Sequence, residues 1–196
     1  MSPDRLIAFS DGVIAIAITL LVLNLELPDN YASLPFATVL SQCFAKFDTW
    51  LISFWIIGGF WIGHHKLFSK IKQIDMAIMW YNLWFLLIIT SISWMVSLIE
   101  AFPDEPRAVV IFSSGLGLAG VIHFMVYRHA TKKGDYREQE SQGHTCAMMA
   151  TPVTAVVAVL LAFSLTPTAG LYIWLFRHLF FRIGNIIDKK LRKTSK

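Results

Sequence analysis

Arg5-Leu-Ile-Ala-Phe9-Ser10-Asp11-Gly12-Val-Ile-Ala-Ile16-Ala-Ile-Thr19-Leu20-Leu-Val-Leu23 is the stretch on which this chain turns. It is an apolar run long enough to cross a hydrocarbon core of about 30 Å as a helix rising 1.5 Å per residue. A carboxylate, Asp11, sits inside it beside the hydroxyl of Ser10. An intramembrane carboxylate costs about 2.5–3.5 kcal/mol on insertion scales, so it is expected to have a partner and a role. With Ile16 at zero and about 100° per residue, Leu20 lies near 40°, Leu23 near −20°, Gly12 near −40° and Thr19 near −60°. Asp11 falls near −140° and Ser10 near 120°, so the apolar stripe and the polar pair face different neighbours. Periodicity alone leaves the stripe as lipid-facing or bundle-facing packing. It leaves Asp11 as either a hydrogen-bonding anchor or a proton-handling group.

Outward from this run the same pattern recurs. Further apolar runs cover about 44–63, 76–99, 108–127 and 147–165, and a sixth starts near Ala169 and degrades after Arg177. Breakers punctuate them: Pro28-Asp29-Asn30, Phe102-Pro103-Asp104 and Thr166-Pro167-Thr168. Of the 196 residues 56% are hydrophobic and only 15% charged, with a mean hydropathy of +0.57. Both balances are shifted from those of a soluble domain, which excludes a disordered chain and an ordinary secreted domain. The net charge of +4 belongs to the cytoplasmic side of a membrane rather than to a nucleic-acid surface. Cys43 and Cys146 make no disulfide framework. The first run lacks a strongly basic start and a short cleavable apolar core and holds an aspartate, so it reads as a membrane span and not a signal peptide.

Six spans put both termini on one side, and the charges test that count. Arg5, Lys66, Lys70, Lys72, Arg128, Lys132, Lys133, Arg137 and the basic residues from Arg177 onward share that side, 15 of the 17 cations. Lys46 and Arg107 lie opposite with Glu26, Asp29, Asp48, Glu100, Asp104 and Glu105. The positive-inside rule places both termini in the cytoplasm. The expected architecture is all-α: a six-helix membrane domain over residues 1–187 and a basic cytoplasmic tail over 188–196 that frays.

A second cluster ends the second run, Phe60-Trp61-Ile-Gly63-His64-His65-Lys66-Leu-Phe68. Trp61, His64, His65 and Phe68 follow the i, i+3, i+4, i+7 spacing of one helix face. The two histidines are poor metal ligands, since adjacent helical positions diverge and no acid or cysteine is spaced for zinc. Donation to Asp11 or Ser10 at the same depth suits them better, and Asn82 in the third run can join that network. His123 is a lone histidine in the fourth run, and His144-Thr-Cys146 is too sparse for a metal. No nucleophile elbow, phosphate loop or carbonyl-filter sequence occurs, so no enzyme and no cofactor is expected.

Arg5-xxx-Phe9-Ser10-Asp11 with its apolar continuation resembles the first-helix signature of the transmembrane protein 175 family, the endolysosomal potassium channel and its bacterial homologues. The likeness continues in Ser53-Phe54, Phe60-Trp61-xx-His64-His65-xx-Phe68, Asp75 and Trp80-Tyr-Asn82-Leu83. It covers the first three runs, whereas the last three match in length and hydropathy only. The resemblance implies a homotetramer of six-helix subunits in the bacterial plasma membrane, the first helix of each lining a central path for potassium ions. It implies apolar rings at Ile16, Leu20 and Leu23, with Ile16 tightest, and a selectivity layer at Thr19. It makes Arg5, Phe9, Ser10, Asp11, His64, His65 and Asn82 a brace behind the pore helix. Permeation would be passive and potassium-preferring, without a carbonyl filter. The rival is a proton-coupled transporter using Asp11 with His64 or His65.

Overall fold

A computed structural model describes residues 2–137 and 148–194, for 178 and 188–194 the backbone only. His144 and Cys146 lie outside the described residues. The helices are α1 (Pro3–Leu20), α2 (Phe36–Phe68), α3 (Met76–Ala101), α4 (Pro106–Lys132), α5 (Ala150–Ser164), α6 (Pro167–Tyr172) and α7 (Arg177–Thr194). Short 3₁₀ turns at Leu21–Asn24, Tyr31–Ser33 and Ile173–Phe176 join or extend them. Among the described residues the extended structure is one antiparallel bridge, Ile71 with Tyr136.

Local chemistry sets the boundaries. Prolines open α1, α4 and α6, where a missing N–H costs nothing. Asp75 caps α3, its carboxylate accepting from the Ile78 amide at 2.9 Å, and Thr166 caps α6 through Ala169. Lys133 and His129 of the α4 end close on Asp75 as well. Lys133, then His129, then the Ile78 amide hold the Asp75 carboxyl well below the usual carboxylate range.

Two apolar clusters show how the helices run. One gathers Leu6 and Ile7 at the start of α1, Leu67 and Phe68 at the end of α2, Ile78 at the start of α3, and Val126 and Ala130 at the end of α4. Consecutive long helices therefore alternate in direction, and the sequence-neighbouring cations Arg5, Lys66, Lys70, Lys72, Arg128, Lys132 and Lys133 collect at that end. The larger cluster runs along the bundle from Ile14, Ala17 and Leu21 through Ile56, Phe60, Phe85 and Ile92 to Phe112 and Leu116. Between α4 and α5 the contact rests on small residues. A Cβ added to Gly117 would stand 2.7 Å from Ala155 Cβ, and one on Gly120 would stand 2.7 Å from Thr151 Cβ. Membrane helices approach closely through such positions.

Among the described residues three helices are long and apolar enough to cross a membrane: Pro3–Asn24, Met76–Ala101 and Pro106–Lys132. In the longer α2, Gly58, Gly59, Gly63, His64 and His65 dilute the apolar run, and α5 is apolar but has only 15 residues. The sixth run is not one helix. It breaks into α6, a 3₁₀ turn and α7, with Trp174 in the turn buried and donating to Ser113 of α4 at 3.1 Å. Helix also continues through the basic tail to Thr194, where the sequence suggested fraying.

Candidate functional site

The first helix has two faces. Leu6, Ser10, Ile14, Ala17 and Leu21 are buried against the subunit. On the helical wheel these fall between about 80° and 160°, opposite the Ile16 stripe. Ile16 is 61% exposed, Leu20 45% and Leu23 61%. Thr19 is exposed on the same side, and its Oγ1 donates to the Ile16 carbonyl at 2.8 Å, which leaves its oxygen lone pairs directed off the helix. The switch to 3₁₀ geometry at Leu21 matters here. Residues three apart eclipse in a 3₁₀ turn, so Leu23 stands over Leu20. Beyond it, Asn24 Nδ2 reaches the Ser93 carbonyl and hydroxyl at 3.4 Å and ties the outer end of this helix to α3.

Behind the stripe a buried polar chain crosses three helices. His64 Nε2 of α2 meets Asn82 Oδ1 of α3 at 2.8 Å, Asn82 Nδ2 donates to Ser10 Oγ of α1 at 3.0 Å, and Ser10 Oγ donates to the Leu6 carbonyl at 2.9 Å. Ser10 and His64 are fully buried and Asn82 is 1% exposed. Oδ1 can only accept, so His64 carries its proton on Nε2. Its Nδ1 is buried without a partner. The imidazole stacks on Phe68 at 4.1 Å and on Phe85 at 5.3 Å between ring centroids. His123 continues the stack, 4.2 Å from Phe85 and 5.8 Å from His64.

Of the expected brace residues the structure joins Ser10, His64 and Asn82. Asp11 lies to one side, half-buried, and its Oδ1 accepts from Trp61 Nε1 at 2.9 Å rather than from a histidine or Asn82. The reason is rotational: Asp11 follows Ser10 by about 100° and so turns toward α2 when Ser10 points at α3. His65 is likewise exposed, one position past the buried His64, its ring 6.4 Å from Trp61. Arg5 and Phe9 are exposed within the subunit and stand near −20° and 20° on the wheel. Within the subunit they fall on the side of the Ile16 stripe and do not join the Ser10–Asn82–His64 chain. The bonding roles of Trp61 and Asn24 were not visible in the sequence, although Trp61 shares a helix face with His64.

A bundle of alternating apolar helices, with one helix exposing a continuous apolar stripe and pinned from behind by buried polar groups, defines a polytopic helical membrane protein. The sequence profile described as "Endosomal/lysosomal potassium channel TMEM175" matches residues 5–92. A potassium channel of Chamaesiphon minutus is 32% identical over 145 residues, 71% of this chain and 71% of that protein. A potassium channel of Streptomyces collinus is 31% identical over 134 residues, 66% of this chain and 65% of that protein, so the aligned part is just under two thirds of its length. The crystal structure of a lysosomal potassium-selective channel TMEM175 homologue from Chamaesiphon minutus superposes with a TM-score of 0.81 at 24% identity, covering 93% of this chain and 98% of that one. The chain belongs to the TMEM175 family.

Proposed function

We propose that the chain is one subunit of a passive, potassium-permeable channel in a bacterial plasma membrane, assembled as a homotetramer around the first helix. The observation that carries this is the stripe itself. The most regular apolar face of α1 turns away from its own subunit, and the opposite face is anchored by a buried polar chain. Four such faces meeting on an axis would form rings at Ile16, Leu20 and Leu23, and a partly dehydrated cation would pass them by wetting the constriction. Thr19 oxygens facing the same axis would offer the ion replacement ligands. Larger monovalent cations shed water at lower cost, so potassium is preferred to sodium. The named relatives support the potassium reading. Six crossings with both termini cytoplasmic follow from the charge asymmetry.

The rival proton-coupled transporter needs a relay between Asp11 and the histidines. In the subunit Asp11 bonds Trp61 and His64 bonds Asn82, so these groups brace separate contacts.

Recording from the purified protein in planar bilayers under a potassium/sodium gradient tests the proposal. Unitary currents reversing toward the potassium potential are expected. Ile16→Ala and Ile16→Asn should raise conductance, whereas Ile18→Ala, whose side chain packs on the core, should act on stability. Thr19→Val should lower potassium preference and keep current. Equal currents from the wild type and both Ile16 variants would remove Ile16 from the ion path.

A further inference from the structure

A cavity of about 260 Å³ opens between α2, α4, α5 and α7, and none of its lining residues comes from α1. Arg177, the first residue of α7, points into it. The guanidinium lies 5.1 Å from the Phe60 ring centroid, and its Nη1 makes one long contact, 3.4 Å, to Thr151 Oγ1. Among the described residues no carboxylate contacts it. Gly59 forms part of its seat, since a Cβ there would stand 2.2 Å from Arg177 Nη2. His123 also lines the cavity, and its Nε2 is buried without a hydrogen-bond partner. Lys66 and Lys70 line one end.

A guanidinium has five donors, and this one uses a single weak bond and one ring face. The side chain is half-buried, and holding a cation partly out of water in that way is costly unless an anion completes the site. The donor set suits a tetrahedral oxyanion. Arginine binds phosphate bidentately through two parallel N–H groups, the imidazole can supply a further donor, and a lysine adds charge at the entrance. The remaining wall, with Ile62, Leu67, Met148 and Phe181, is apolar. The cavity also sits where α7 begins, and that helix interleaves Phe180, Phe181, Ile183, Ile186 and Ile187 with Arg182, Lys189 and Lys190. Such a basic amphipathic helix lies along an anionic membrane surface. Basic pockets between membrane helices on the cytoplasmic side take anionic headgroups.

We propose that this cavity is a phosphate-binding site whose ligand is the headgroup of an anionic phospholipid, held by Arg177 with His123 and Lys66. The lipid source rests on the membrane orientation given above, whereas the phosphate chemistry rests on the cavity alone.

The test measures binding and not current, so its outcome is independent of whether the chain conducts. Purified protein in detergent is titrated with phosphatidylglycerol, phosphatidylcholine and inorganic phosphate separately, with retained lipid read by native mass spectrometry and stability by melting temperature. Selective retention of phosphatidylglycerol and a raised melting temperature are expected. Arg177→Gln should weaken that binding roughly tenfold or more, equal to about 1.4 kcal/mol. Gly59→Ala keeps the charge but displaces the guanidinium, and should lose binding in the same way even if Arg177→Gln assembles poorly. Lys72→Gln, outside the cavity, should bind as the wild type does. Stabilisation by inorganic phosphate that Arg177→Gln abolishes would keep the oxyanion site and overturn the lipid as its source. Equal retention of the two lipids by the wild type with no response to phosphate, or undiminished selectivity in either cavity variant, would overturn the proposal.

Discussion

Replacing Asn82 by Leu strikes the buried polar chain in which α1, α2 and α3 meet. The substitution leaves the His64 Nε2–H buried without an acceptor, a deficit of about 1–3 kcal/mol. Ser10 keeps its bond to the Leu6 carbonyl and loses only the donation from Asn82, a further cost of about 1 kcal/mol. Together these destabilise the folded subunit by about 2–4 kcal/mol. His64→Phe tests the same bond from the other end. A phenyl ring preserves the stack between Phe68 and Phe85 and leaves Asn82 Oδ1 with only the longer 3.2 Å contact from Ser10 Oγ, which should cost about 1 kcal/mol. In the double variant the orphaned His64 donor is gone, because both partners have become apolar. Its destabilisation should fall short of the sum of the singles by about 1–2 kcal/mol, the coupling typical of contacting residues. Unfolding free energies in mixed micelles, measured on all four proteins alongside size-exclusion profiles, give the cycle directly. Additivity within about 0.5 kcal/mol would refute the bond as a coupled element. An Asn82→Leu protein as stable as the wild type would refute the cost of the orphaned donor.

Asp11→Asn retains an acceptor for Trp61 and should assemble and conduct nearly as the wild type does, with Asp11→Leu more damaging in melting temperature. A stable, well-assembled Asp11→Asn protein with no flux at any pH would instead favour the proton-coupled transporter. Asp75, with its pKa depressed by Lys133, His129 and the Ile78 amide, contributes stability that is present above the ordinary aspartate range near pH 4 and lost as pH falls through its lowered value. Asp75→Asn keeps a capping side chain and should flatten that acid loss, while Asp75→Ala should cost about 1 kcal/mol at neutral pH. Identical acid melting profiles for wild type and Asp75→Asn would count against the ion pair. Membrane-impermeant labelling of single cysteines should place residue 132 and both termini in the cytoplasm and residue 104 outside. A terminus accessible from outside would remove one crossing, and the broken run after Ala169 is where it would be lost.

The amino-acid sequence by itself determined the all-helical membrane class, the alternation of the long helices and the two faces of the first one. These depend on run length, charge sidedness and a 100° rotation, all of which are local. Ile16, Leu20 and Leu23 were placed on one face by rotation, and so could Arg5 and Phe9 have been by the same arithmetic. The breakage of the sixth run was half visible in its declining apolarity after Arg177. What only the tertiary structure decided is which polar groups meet. Ser10, His64 and Asn82 lie in three separate helices, and their contact depends on the depth and rotation at which those helices pack, quantities that spacing along one chain does not contain. A neighbouring position is turned by about 100°, so Asp11 bonds Trp61 while Ser10 bonds Asn82, and His65 faces out while His64 is enclosed. Arg177 is the same lesson at larger scale: a residue that reads as the end of a span is, after packing, a half-buried cation seated over Phe60 against Gly59.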